Sequence, residues 1–170
     1  GWSRHAIERT CERLSARWDS YLGLGDVFAF FDQCCHFELT TLHSGQLAFT
    51  FYDICQQKFF SRQFVPNVLG SDDGRGNYYF RVGYCPVVIE GDFIKATTLL
   101  VPGYRGTPEY DAIVRSSLGR DAKRQMMTDA TEMTMAHLQE TSDFSLVKWF
   151  HEQGVPQVIQ TSTRMYLPPV

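Results

Sequence analysis

The chain has 170 residues, of which 44% are hydrophobic, 14% aromatic and 21% charged, and its formal net charge is −3. This length is enough to bury a core without disulfides or metals, and the composition excludes an intrinsically disordered protein. The weak acidity argues against nucleic acid as a partner, and the sequence has no run of 18 apolar residues to form a transmembrane segment. We expect a single domain over residues 1–170.

The five cysteines occupy positions 11, 34, 35, 55 and 85, all in apolar surroundings. Their odd number and the adjacency of Cys34 and Cys35 favour reduced, buried thiols over a disulfide framework. We therefore expect an intracellular, reducing compartment. The sequence begins at Gly1 without an initiator methionine or a signal peptide, so organellar import with removal of a targeting peptide is the alternative.

The first part of the chain predicts two helices. Over residues 3–22, apolar residues recur at spacings of three or four, as on one face of a helix. These are Ile7, Cys11, Leu14, Trp18 and Leu22. Asp26 is a good N-cap for a second helix that runs through Phe37 and ends or is interrupted at Ser44-Gly45. This helix is apolar on nearly all sides, which predicts a central position.

Residues 46–64 fit two patterns. Leu47, Phe51 and Ile54 have helical spacing. Residues 47–52 fit a strand equally well, because every second residue is Leu or Phe. We interpret the segment as a helix because its helical pattern is longer than most strands, and we expect Pro66 to end it.

Two runs rich in β-branched and aromatic residues predict a β-hairpin over about 78–101. Glu90-Gly91-Asp92 is its turn. Pro86 lies inside the first strand and predicts an edge position or a bulge there. Residues 157–167 alternate again and predict a C-terminal strand that pairs with the hairpin.

Helices are expected over about 108–153. Thr107-Pro108-Glu109 combines a capping hydroxyl, a proline at the first helical position and an acid in the first turn, which favour a helix start. We expect a break near Gly119 and a last short helix that ends at Gly154. The fold class that follows is α+β, with a helix-rich N-terminal half, a small antiparallel sheet, and helices between the hairpin and the last strand.

The loop from Ser71 to Asn77 contains acids and glycines, as metal and phosphate sites do, but in an unsuitable arrangement. Asp72 and Asp73 are adjacent rather than alternating, and Arg75 stands where a calcium ligand would be needed. The lysine and hydroxyl residue of a phosphate-binding loop are missing. We interpret this segment as a turn that leads into a strand.

Cys34-Cys35-His36 brings together side chains that can form a thiolate nucleophile or bind zinc. Structural zinc sites separate paired ligands by two or more residues, and no second pair follows at a suitable distance. His137 and Glu140 share a helical face, but carboxylate-bridged metal sites repeat a Glu-x-x-His motif, and here the order is reversed and occurs once. The sequence therefore predicts neither a metal nor a cofactor.

The chain is rich in aromatic residues, with 13 Phe, 8 Tyr and 3 Trp. Exposed aromatic side chains form surfaces for partner proteins. We therefore expect a non-catalytic interaction or accessory subunit of a larger assembly, rather than an enzyme. The alternative is a small-molecule-binding protein or enzyme with an apolar pocket between sheet and helices. Its candidate residues are Cys35, His36, Arg81 and His137.

Overall fold

The computed structural model describes residues 2–17, 35–55, 60–69 and 77–161. The helices within these ranges are α1 (Arg4–Arg17), a π-helix (Phe60–Leu69), α2 (Pro108–Arg115), α3 (Arg120–Glu132), α4 (Met135–Thr141) and α5 (Ser145–Glu152). The strands are β1 (Cys35–Thr41), β2 (Leu47–Ile54), β3 (Asn77–Glu90), β4 (Phe93–Ala96) and β5 (Val158–Thr161). The α+β class predicted from the sequence is confirmed.

Strand β3 is the centre of a five-stranded antiparallel sheet. The strand order is β1-β2-β3-β4, and β5 pairs with the first residues of β3 while β4 pairs with the last. β3 is 14 residues long and is buried from Tyr78 to Val87. Neighbours on both sides explain why this stretch reads as a nearly continuous run of apolar and aromatic residues.

The helix predicted over residues 46–64 is wrong over residues 47–54, whereas residues 60–64 belong to the π-helix. Residues 47–54 form β2, which pairs with β1 on one side and β3 on the other. Ala48, Thr50 and Tyr52 are buried on one face of this strand. The segment thus has the two-residue period of a strand, and pairing with distant segments decides between two local patterns that fit equally well.

The helix predicted from Asp26 through Phe37 to Ser44 is contradicted over residues 35–41. These residues form β1, which pairs with β2 through a tight turn. Gly45 adopts a φ of 87° in that turn, a conformation that costs glycine little. Residues 26–34 of the expected helix lie outside the described part of the chain.

Pro66 does not end a helix; it lies inside the π-helix. A proline removes a single backbone donor, and this helix continues past that loss. The loop from Ser71 lies outside the described residues up to its last member, Asn77, which begins β3. The same holds for residues 162–167 of the expected C-terminal strand, whereas β5 pairs with β3 as predicted.

The predicted hairpin is confirmed by β3 and β4. Pro86 is not at an edge of the sheet, because Ala48 of β2 lies opposite it. The ladder on its other side is irregular, since Val87 pairs with Ala96 whereas Tyr84 bridges Leu100. The missing N–H of Pro86 therefore falls where regular pairing is interrupted, as the bulge alternative expected.

The helix boundaries predicted after residue 107 are confirmed by α2, by the start of α3 after Gly119 and by the end of α5 before Gly154. The helices α2–α5 and the π-helix pack around one apolar cluster that includes Phe64, Phe80 and Phe150. A second cluster lies between the sheet and α1 and includes Ala6 and Phe51. These two clusters hold the sheet in place.

The close approach of β3 to the chain after β4 depends on Gly83. A Cβ atom added there would lie 2.6 Å from the backbone oxygen of Leu100. We expect Gly83→Ala to lower the free energy of unfolding by roughly 1–3 kcal/mol, because backbone has to move. Urea unfolding measures the loss.

Gly119→Ala is the control for this prediction. Gly119 has open space around its Cα and a φ of −68°. We expect it to cost less than about 1 kcal/mol, the effect of a changed N-cap. Equal losses in the two variants would contradict the steric argument at Gly83.

Candidate functional site

Polar side chains cross the sheet in a row on one face. His36 on β1 lies opposite Tyr52 on β2, and Tyr52 lies opposite Arg81 on β3. The backbone N–H of Arg81 donates to the carbonyl oxygen of Gln157 at 2.7 Å, which continues the row beyond β3. All four side chains are buried. We call His36, Tyr52, Arg81 and Gln157 the polar row.

A β-bulge in β3 brings a second tyrosine to the face of the polar row. Gly83 lies opposite Phe51, but Arg81 lies opposite Tyr52, so Val82 is an extra residue. Residues three apart in a regular strand point to opposite faces, and the bulge cancels this difference for Arg81 and Tyr84. As a result, Arg81 Nη1 donates to the Tyr84 hydroxyl at 2.6 Å.

The start of α2 brings a carboxylate to the polar row. The Thr107 hydroxyl caps the helix by accepting a hydrogen bond from Tyr110 N at 3.2 Å. Glu109 follows in the first turn, where the helix dipole favours a negative charge. Its side chain is completely buried.

Three side chains donate hydrogen bonds to the Glu109 carboxylate. The Tyr84 hydroxyl lies 2.7 Å from Oε1 and 2.9 Å from Oε2. Gln157 Nε2 lies 2.8 Å from Oε1, and Arg81 Nη1 lies 3.2 Å from the same atom. A buried carboxylate is tolerated when it is paired with a cation and hydrogen-bonded, and Glu109 meets both conditions.

The network continues from Arg81 towards the surface. Arg81 Nη2 donates to the Tyr52 hydroxyl at 3.1 Å, and that hydroxyl donates to Glu38 Oε2 at 3.1 Å. His36 Nε2 lies 3.3 Å from Glu38 Oε1. The side chain of Glu38 is 44% exposed and that of His36 is 6% exposed. The network thus runs from a half-exposed carboxylate to a fully buried one.

Burial and charge interactions fix the protonation of Arg81 and of the two tyrosines, Tyr52 and Tyr84. Burial lowers the pKa of Arg81, but the facing Tyr84, Glu109 and Tyr52 outweigh it, so the pKa is raised and the guanidinium stays charged. Burial raises the pKa of Tyr84 well above its usual value, and Glu109 raises it further. Burial likewise raises the pKa of Tyr52. Both phenols therefore stay protonated and act as donors.

His151 on α5 lies beside the polar row and has a different role. Its Nε2 accepts hydrogen bonds from the backbone N–H groups of Gln157 at 3.0 Å and Val158 at 3.3 Å. Burial, and then the charge of Arg81, lower the pKa of His151 to about 4. The imidazole is therefore neutral at pH 7 and holds the segment that enters β5 against α5.

The four candidate residues from the sequence fall in three places. His36 and Arg81 belong to the polar row and are connected through Tyr52 and Glu38. Cys35 neighbours His36 on β1, where its backbone pairs with that of Asp53 on β2. His137 is exposed on α4. The structure thus brings two of the four together.

The other members of the network were not among the candidates from the sequence; they are Glu38, Tyr52, Tyr84, Glu109 and Gln157. Glu109 was recognised only as an acid that favours a helix start. One signal was present: Arg81 is a cation within the apolar run YYFRVGY. A buried guanidinium requires a carboxylate, but the sequence does not show which one.

Other features of the described residues do not add a second chemical centre. A shallow groove at the start of α3 is lined by Arg120, Lys123, Arg124 and Met127. Within the described ranges, no group of three His, Cys, Asp or Glu side chains is arranged to hold a metal ion. None of the helices in those ranges has the length and apolar character needed to cross a membrane.

Comparison with protein-family models, with curated proteins and with solved structures found no match for this chain.

Removal of the cation from the buried pair is expected to destabilise the protein strongly. Arg81→Met leaves the Glu109 carboxylate buried without its counter-charge, and we expect a loss of about 3–5 kcal/mol in the free energy of unfolding. Arg4→Met is the matched control, because Arg4 pairs with Glu8 while 93% exposed. Exposed pairs contribute less than about 1 kcal/mol. Similar losses in the two urea unfolding curves would refute the central role of Arg81.

Acid is expected to destabilise the protein through His151. Its pKa is about 4 in the folded chain and 6.5 in its ordinary state, so the unfolded chain takes up the proton first as the pH falls. The stability that depends on neutral His151 is therefore complete above pH 6.5 and is lost towards pH 4. Urea unfolding across this range measures it.

His151→Gln isolates this effect, because its amide oxygen accepts hydrogen bonds without titrating. We expect a shallower decline of stability between pH 6.5 and 4 in this variant. His137→Gln, at an exposed position on α4, should keep the wild-type decline. A decline in His151→Gln as steep as that of the wild type would show that another group is responsible.

Proposed function

We propose that this chain is a non-catalytic interaction protein, an accessory subunit that docks onto a partner protein through the end of the β3–β4 hairpin. The observation that carries the proposal is a set of exposed apolar side chains at that end. Phe93 is 74% exposed, Ile89 66%, Ile94 47% and Val88 36%. We call these four residues the hairpin tip.

The hairpin tip is apolar on both faces. Ile89 lies opposite Ile94 on one face, while Val88 and Phe93 lie on the other. Glu90 and Lys95, 4.0 Å apart, share the face of Val88 and Phe93 and supply charged groups beside the apolar ones. An apolar centre with a polar rim is the usual composition of a protein interface, and clustered exposed apolar side chains mark such sites. Exposed apolar side chains on both faces favour insertion between surfaces of a larger partner.

The interior supports a non-catalytic role at Glu109. A catalytic carboxylate has to exchange protons or contact a substrate. The carboxylate of Glu109 instead accepts hydrogen bonds from Arg81, Tyr84 and Gln157 within the protein. We therefore assign Glu109 a structural role, in which it stabilises the fold.

The hairpin tip is tested with charged substitutions. Ile89→Glu and Phe93→Glu place a charge at exposed positions, so both variants should keep the wild-type unfolding midpoint. We expect the wild type, purified gently from its native cells, to appear in a complex with another protein by native mass spectrometry. Each variant should be recovered mostly as the free chain.

Leu39→Glu is the matched control. Leu39 is 61% exposed on β1, at the opposite side of the sheet from β4. We expect this variant to remain in the complex. A wild type that is recovered alone or only as a homo-oligomer would refute the accessory role. A complex that survives both hairpin substitutions would refute the hairpin as its docking site.

A further inference from the structure

The shallow groove at the start of α3 collects cations without counter-charges. Its lining consists of three basic side chains and one methionine, which are Arg120, Lys123, Arg124 and Met127. Spacings of three and four residues place all four on one face of the helix. Among the residues that the structure describes, no acid forms an ion pair with any of the three cations. The groove therefore has unused positive charge to offer to another molecule.

The charge of this region is opposite to that of the whole chain. Residues 113–127 contain four cations and one acid, whereas the formal net charge of the chain is −3. The acid is Asp121, which lies in the first turn of α3 and outside the lining of the groove. Complementary potentials steer charged partners to a surface. A positive groove on an acidic protein thus attracts acidic molecules to one place.

Two of the four side chains in the lining are anchored by the fold. Lys123 Nζ donates to the carbonyl oxygen of Val114 at 2.8 Å, near the end of α2. Basic side chains commonly bind the last carbonyls of a helix, and this bond joins α3 to α2. Met127 packs against the apolar cluster of α2–α5. Arg120 and Arg124 are exposed, so their guanidinium groups are the ones available to a partner.

The form of the groove favours a segment of a protein over a small molecule. Small-molecule sites are enclosed and mostly apolar, whereas this groove is shallow and mostly cationic. Arginine and methionine are enriched at protein interfaces, and a guanidinium forms two parallel hydrogen bonds with a carboxylate. Val114, which Lys123 contacts, is 46% exposed, and Leu118, two residues before Arg120, is 37% exposed. An acidic segment that also carries apolar residues complements this combination.

Two other anionic partners fit the groove less well. Single-stranded nucleic acids bind through aromatic side chains on which their bases stack, and the lining contains none. Helices that lie on membranes bury an apolar face in the lipid. The apolar side chains of Met126, Met127 and Ala130 on α3 pack against the core instead. Both observations leave an acidic protein segment as the best match.

We propose that this groove binds an acidic segment of a partner protein. Carboxylates of the segment pair with Arg120 and Arg124, and its apolar side chains contact Val114 and Leu118. The groove does not include any residue of the hairpin tip, so it is a second interaction surface and does not depend on the accessory role. The two surfaces also differ in chemistry, because the hairpin tip offers apolar side chains and the groove offers cations.

The probe for this site is a short, fluorescently labelled peptide of glutamate and leucine. Fluorescence anisotropy with the purified full chain measures its binding. We expect saturable binding with a dissociation constant on the order of 100 µM, as in weak, transient contacts. A peptide with glutamine in place of glutamate should bind about tenfold more weakly, since exposed ion pairs each contribute little. Binding of the glutamate peptide should also weaken as the ionic strength rises from about 0.01 M to about 1 M.

Arg124→Glu replaces attraction by repulsion at an exposed position of the groove. We expect it to weaken binding of the glutamate peptide at least about fivefold and to leave the unfolding midpoint unchanged. Arg120→Glu is a second variant with the same expected effect. Arg62→Glu is the matched control, because it makes the same charge change at an exposed position of the π-helix. It should keep the wild-type affinity, and so should Ile89→Glu at the hairpin tip.

Four results would overturn the proposal. The first is no saturable binding of the glutamate peptide, and the second is equal binding of the glutamate and glutamine peptides. The third is wild-type affinity in both Arg120→Glu and Arg124→Glu. The fourth is tighter binding of single-stranded oligothymidylate, or of vesicles that contain phosphatidylserine, than of the glutamate peptide. That result would assign the groove to nucleic acid or to a membrane surface.

Discussion

The buried ion pair between Arg81 and Glu109 is the interaction on which the rest of the structure depends. Taking both charges out of water costs several kcal/mol per ion, and only close pairing with full hydrogen bonding offsets that cost. Tyr84 and Gln157 complete the hydrogen bonding of the carboxylate, and the start of α2 adds its dipole. The pair therefore constrains where α2, β3 and the segment before β5 lie. Apolar packing supplies most of the stability, whereas this pair selects one arrangement of the packed elements.

The bulge at Val82 shows how much depends on the register of one strand. Without the extra residue, Arg81 and Tyr84 would point to opposite faces, and the guanidinium would lose its shortest hydrogen bond. The interior and the hairpin tip differ in this respect. In the interior, the strand register places polar groups within hydrogen-bonding distance of one another. At the tip, apolar side chains are exposed to solvent on both faces, and we propose that a partner protein covers them.

Local signals predicted the C-terminal half of the fold well. These signals act over a few residues and need no distant partner. They are a proline and a capping threonine at the start of α2, and glycines where helices begin or end. Residues 47–54 could not be assigned in the same way, because helical and strand periods both fit them and only pairing with β1 and β3 decides. The residues of the buried network were harder to predict from the sequence than the strands. Arg81 signalled a buried partner, but Glu109 lies 28 residues away, and only the folded chain brings them together.

The central place of β3 has a consequence for the order in which the protein assembles during synthesis. β4 follows β3 after the two-residue turn Gly91-Asp92, so the pairing of these two strands closes a short loop and can proceed early. β5 is the last of the five strands to be made, and Gln157 reaches Glu109 across 48 residues. Until then, residues 77–80 form an uncovered edge on the most apolar strand, and such edges invite pairing with other chains. The nascent chain is therefore most exposed to aggregation between the emergence of β3 and that of β5.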